Sequence, residues 1–229
     1  MNRTCLIKAC LFKTALAACA CVLLLASCAQ ASKQVFPKHY TLGESAAPAA
    51  QHAPATSEAG SILEVTRIDV PPWLQGTDLY YRLDYKHDDQ IAAYALSDWV
   101  APPARMLEQM IQNTLAADGA WRLVLGPASP AKADLSLHIR LDDFSQMFTS
   151  PQQSYGVLDA TATLVDTQDG NAVAQRHFHV REQAPSADAA GGVKALNRAS
   201  RQFADELQQW LGTAAKRTMP GPSAARRER

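Results

Sequence analysis

Beyond residue 28 this chain contains no cysteine. The five it has, Cys5, Cys10, Cys19, Cys21 and Cys28, all lie at or before that point. A disulfide framework and a cysteine-based metal site are thereby excluded from the rest of the chain. Long apolar runs are missing there as well. No later stretch approaches the roughly 18 apolar residues that a membrane-spanning helix needs. Charge of one sign is not in excess: the whole chain carries 22 basic and 22 acidic residues, and three of the basic ones (Arg3, Lys8 and Lys13) precede Cys28. The slightly acidic remainder is not the balance of a nucleic-acid-binding domain. Several catalytic signatures are also absent: a GxSxG elbow, a P-loop, an HExxH helix and a glycine-rich dinucleotide loop.

What is present begins at the N-terminus. Arg3, Lys8 and Lys13 form a positive segment, and Thr14 to Ala26 is apolar. That run has the length of a secretory h-region, about 7–15 residues, and is too short to span. Leu25-Ala26-Ser27-Cys28 then reads as a lipobox, in which small residues admit the backbone to a signal peptidase and the Cys28 thiol takes the lipid. The competing reading is an ordinary secretory signal with a chance cysteine. With lipid on it, Cys28 is the anchor, and two or three acyl chains, such as palmitate, hold a membrane stably where one does not. Ala29 stands where an aspartate would favour inner-membrane retention, so the expected location is the periplasmic face of the outer membrane.

The chain divides accordingly. Residues 1–27 are read as a signal peptide. Residues 28–61 are read as a lipidated, Ala/Pro-rich tether with little to bury. Residues 62–214 form a folded domain, and 215–229 a basic disordered tail. Inside the tether, Tyr40-Thr-Leu42 is an apolar island suited to an edge strand. The tail, with Lys216, Arg217, Arg226, Arg227 and Arg229, is either a frayed end or a contact for anionic headgroups or an acidic partner.

Within the domain, strands are expected at 62–70, 79–84 and 91–96, with His87–Gln90 as a hairpin turn. Pro102-Pro103 opens a helix with Met106, Leu107, Met110, Ile111 and Leu115 on one face, ended by Asp118-Gly119. A short strand covers 121–125. Leu135, Leu137, Ile139 and Leu141 then alternate with polar residues, as do Leu158, Ala160, Ala162 and Leu164, and Phe178 and Val180. A turn at Asp166–Asn171 joins the second and third of these strands. A last helix covers roughly 192–211, its stripe running through Leu196, Phe203, Leu207 and Leu211. Two amphipathic helices and a sheet with one apolar face predict an α+β domain, mainly antiparallel, both helices on one face and the other face polar and open.

No catalytic residue, cofactor site or metal site is assigned. His177 and His179 share a face of one strand, with His138 on another as a conceivable third ligand, but solvent-facing strand residues explain them equally. Asp142-Asp143 and Asp88-Asp89 read as strand-end and turn residues rather than carboxylate pairs. Trp210 fits the helix stripe and Trp121 starts a strand. Trp73 and Trp99, next to prolines at element ends, are the candidates for a partner interface.

Three segments in order carry a family resemblance. They are Tyr40-Thr-Leu42 after the lipid cysteine, Ile68-Asp-Val-Pro-Pro-Trp-Leu74 followed by Tyr80-Tyr-Arg82, and Tyr94 to Pro103 with Trp99-Val-Ala-Pro-Pro leading into a helix. With the lipobox, they make the chain similar to the ABC-type transport auxiliary lipoproteins, the lipoprotein partners of MCE-type (mammalian cell entry domain) lipid transport systems. The resemblance implies a fold similar to the N-terminal domain of TolB and a non-enzymatic role. It implies work beside an MCE-domain protein, a permease and an ATPase in moving phospholipid or other apolar molecules. It leaves open a homo-oligomeric ring. A scaffold lipoprotein of envelope assembly or secretion is the alternative, since one domain type serves several systems.

Overall fold

The computed structural model describes residues 36–43 and 60–218. Cys28, the signal peptide, most of the tether and the tail from residue 219 lie outside the described residues. The described residues from Pro37 onward form one compact unit.

Its centre is the pair of long strands β6 (Leu135–Ser150) and β7 (Gln153–Asp166), joined by a tight turn, with β8 (Ala172–Gln183) antiparallel beyond β7. On the other side of β6 the chain lays down one interrupted strand. β2 (Ile62–Val65) runs parallel to its first half, Asp69 bridges to Arg140, and β3 (Asp78–Leu83) runs parallel to its second half. Pro71 and Pro72, which have no N–H to give a ladder, make the excursion between them, a short 3₁₀ turn at Pro72–Leu74. β5 (Leu123–Leu125) adds parallel to β2, and β4 (His87–Trp99) adds antiparallel to β3. β1 (Lys38–Tyr40) closes that end, parallel to Ser97–Trp99 of β4.

The eight-stranded sheet is thus mixed. Its long ladders are antiparallel, as alternation predicts, but its short strands join in parallel, which alternation cannot tell from antiparallel. The turn between β3 and β4 falls at Asp84–Lys86, closed by Lys86 N–H to the Leu83 carbonyl, so Asp88 and Asp89 begin a strand instead of forming the turn. Asp142 and Asp143 lie mid-strand, at a register shift between Leu141 and Asp143. That shift reverses the phase of β6: Leu135, Leu137, Ile139 and Leu141 face the core before it, and Phe144 and Phe148 after it.

Helices α1 (Pro103–Ala117) and α2 (Ala189–Thr218) cover the apolar face. They contact each other, and Leu107, Ile111, Leu196, Phe203 and Leu207 share a single core with Leu137, Leu158, Ala160 and Phe178. Helix α2 exceeds the expected span at both ends. Asp188 caps it, its carboxylate accepting from Gly191 N–H and Ser186 O–H at 2.7 Å each. Helix α2 seats closely on the sheet, and two glycines make room for it. A Cβ on Gly156 would lie 2.5 Å from Leu196 N, and one on Gly192 would lie 2.0 Å from Gln146 Oε1. Gln146 is fully buried there and satisfied, donating to Ser154 Oγ (2.8 Å) and to the Asp188 carbonyl (3.2 Å) and accepting from Tyr94 O–H (2.9 Å). Burial, with Tyr81 and Asp188 nearby, holds the Tyr94 phenol above its ordinary range.

Candidate functional site

Two surfaces bear on function. The first is where the described N-terminal segment joins the domain. Leu42 is buried in the core, the Thr41 carbonyl accepts from Asn197 of α2 (3.3 Å), and Gly43 turns away with φ of +49° beside Asn197. Between this strap and α1 is an apolar cavity of about 330 Å³, floored by Leu42, Met106 and Met110 and rimmed by Val100, Arg105 and Gln109. Arg105 is held toward the helix by Glu108, whose side chain is nearly buried.

The second surface is the face of the sheet turned away from the helices. The reversal at Asp142 puts Asp143 on this face, directly across from Asp159 of β7. Two adjacent carboxylates repel, and each is compensated from its far side. Arg82 of β3 reaches Asp143 at 2.5 Å. His177 Nε2 and His179 Nδ1 of β8 lie 2.6 and 2.8 Å from the two Asp159 oxygens. A carboxylate only accepts, so both rings donate. The result is a row across four strands: Arg82, Asp143, Asp159, then the two histidines. Burial raises the Asp143 carboxyl against the pull of Arg82. Burial acts the same way on Asp159, but the hydrogen bonds from His179 and His177 outweigh it and hold that carboxyl below its ordinary range.

The sequence candidates fall out as follows. Trp99 is 2% exposed and packs against Phe144, so its indole belongs to the core and offers no surface. Trp73 is half-buried, edge-on to Tyr80 at 5.2 Å, and keeps part of its ring at the surface. His177 and His179 do share a face, but they converge on Asp159. His138 is turned to Ser136 Oγ (3.1 Å) instead. No group of three or more His, Cys, Asp or Glu side chains among the described residues could hold a metal ion. No described helix is long and apolar enough to cross a membrane. The Arg82–Asp143–Asp159 row was not legible in advance, because it depends on the bulge and on a parallel β3–β6 pairing.

The family model for the ABC-type transport auxiliary lipoprotein component matches residues 40–208. The chain belongs to that family. Its matched span starts at β1 and runs into α2, so it takes in both surfaces. No curated protein matches this chain. Among solved structures it is similar to protein XCC0632 from Xanthomonas campestris, with 20% identity, a TM-score of 0.62 and coverage of 70% of this chain and 91% of that one. An uncharacterized protein matches at 17% identity and TM-score 0.58, covering 77% and 99%. These likenesses concern the fold alone. The family assignment suggests a non-catalytic lipoprotein of the cell envelope associated with an ABC transport system.

Proposed function

We propose that this chain is a periplasmic lipoprotein, anchored in the outer membrane through acylated Cys28, that acts as the auxiliary subunit of an MCE-type ABC transport system. In this reading it performs no chemistry. It positions partners that move phospholipid or other apolar molecules between the two membranes, and ATP hydrolysis belongs to a separate chain. The observation that carries the reading is the family match over residues 40–208 in a chain whose sequence also offers a lipobox at Leu25–Cys28. Two features suit a docking subunit. The strap is itself fixed to the core at Leu42 and Thr41, so a pull transmitted through it is borne by the folded domain. The opposite sheet face carries a fixed charge row, and the exposed part of Trp73 is a candidate contact.

The test is crosslinking in intact cells, affinity purification of this chain from membranes and mass spectrometry, with Cys28→Ala in parallel. The reading expects an MCE-domain protein, permease or ATPase with the natural chain, and at least severalfold less with Cys28→Ala. Recovery of an envelope-assembly or secretion machine, without any of those three, contradicts it.

A further inference from the structure

Strand β8 pairs only with β7, so its other edge is open among the described residues. The register says which groups that edge presents. Ala184 N–H donates to the Ser154 carbonyl, and pairing then alternates along the antiparallel ladder from Tyr155–Gln183 to Leu164–Ala174. Arg176, Phe178, Val180 and Glu182 therefore exchange bonds with β7. Gln175, His177, His179, Arg181 and Gln183 turn their N–H and C=O groups outward. Among the described residues, one outward group is already engaged, and it agrees with this: the Gln183 carbonyl accepts from Arg198 of α2.

Edge strands are usually blunted by free charged side chains, above all lysine, by proline or by a bulge. From Ala174 to Gln183 there is no lysine and no proline, and the only register shift of this ladder lies outside that stretch, at Leu164/Val165. The side chains of the outward residues all lie on the open sheet face, because strand side chains alternate. That row contains no carboxylate of its own. His177 and His179 are spoken for by Asp159, and Arg181 stacks over the Tyr155 ring at 3.8 Å with no ion pair among the described residues. A second copy pairing through the same edge would set this carboxylate-free row against itself. Arg176 and Glu182, on the other side of the strand, are already paired with Glu206 and Arg198 of α2.

We infer that the free edge of β8, from Gln175 to Arg181, is a docking site for an extended segment of a partner protein bearing acidic side chains. Main-chain bonds to His177, His179 and Arg181 give the affinity, and the Arg181 guanidinium selects the charge. This stands independently of the transport reading, because it concerns the edge whatever complex the partner belongs to.

The test is amide hydrogen exchange of the full chain in detergent, alone and with two blocked peptides, Thr-Glu-Val-Glu-Val-Glu-Thr and its lysine counterpart. The glutamate peptide is expected to slow exchange at His177, His179 and Arg181 at least tenfold, and the lysine peptide is not. His179→Pro removes one outward N–H without touching the β7 ladder, a position where proline is tolerated. It should abolish the protection while Phe178 and Val180 stay slow. Arg181→Glu should reverse the peptide preference, and it keeps the test decisive if the proline variant fails to fold. No protection at millimolar peptide, equal protection by both peptides, or protection that grows with protein concentration alone, as a second copy would give, overturns the inference.

Discussion

Strands β6 to β8 meet α2 on one face and solvent on the other, and the two faces are built differently. On the helix face, Leu137, Leu158, Ala160 and Phe178 are sealed, and Gly156 lets the α2 main chain, and Gly192 the Gln146 side chain, approach until a single added carbon would collide. On the solvent face, Asp143 and Asp159 stand side by side and are held by an arginine and two histidines from flanking strands. The first arrangement is specified by volume. The second is specified by charge placement, and packing alone gives no reason for it. We take the first as what makes the fold and the second as what the fold presents.

This contrast can be broken or sharpened by substitution. The largest effect should come from Phe203→Ala, since Phe203 is fully buried and edge-on to Phe178 at 5.1 Å. Loss of transfer energy plus a cavity predicts about 3–5 kcal/mol by denaturant unfolding. Gly156→Val comes next, at roughly 1–3 kcal/mol or more, because the added carbons meet the α2 main chain rather than a side chain that can swing away. On the open face, Arg82→Ala should cost around 1–3 kcal/mol by leaving the mostly buried Asp143 carboxylate without its cation. His177→Ala and His179→Ala should each cost less than about 1 kcal/mol, as exposed pairs do. If the histidine variants destabilise as much as Phe203→Ala, the distinction between the faces fails.

A pH titration of stability gives the finest cut. Asp159 is held below the ordinary 3.8 in the folded chain. Its contribution is therefore complete above about that pH and is lost as pH falls further, where the unfolded chain takes the proton first. Asp143 acts in the opposite sense: its raised carboxyl favours the folded chain as pH falls through the raised value toward 3.8. Subtracting an Asp159→Asn unfolding series from the natural one should leave a difference that declines on acidification below 3.8. A flat or rising difference contradicts the assignment of His177 and His179 as donors to Asp159.

The same contrast explains how much could be read in advance. The helix face was legible, because alternation at Leu135–Leu141 and Leu158–Leu164 and the stripe through Leu196, Phe203 and Leu207 are local patterns. The class of fold and both helices on one face followed from them. The solvent face was not. A one-residue shift at Asp142 decides whether Asp143 faces Asp159, and no local pattern marks that shift. The parallel seating of β3 that delivers Arg82 depends on a partner strand some sixty residues away. Trp99 misled for a related reason: its position before a proline pair suggests a surface corner, yet β1 pairs in parallel with β4 there, with Trp99 opposite Tyr40, and Trp99 packs on Phe144 in the core. The row Arg82–Asp143–Asp159–His179 is a tertiary product, found only once the ladders are known.

The most direct test of the account uses a photo-crosslinking residue at one of two positions in the full chain in living cells. Arg140 is on the solvent face with a well-exposed side chain, and Gln202 is exposed on α2. The account predicts that a component of an ABC transport system is captured from position 140 and not from position 202. Capture from 202 alone, or capture from 140 of proteins unrelated to transport, would contradict it.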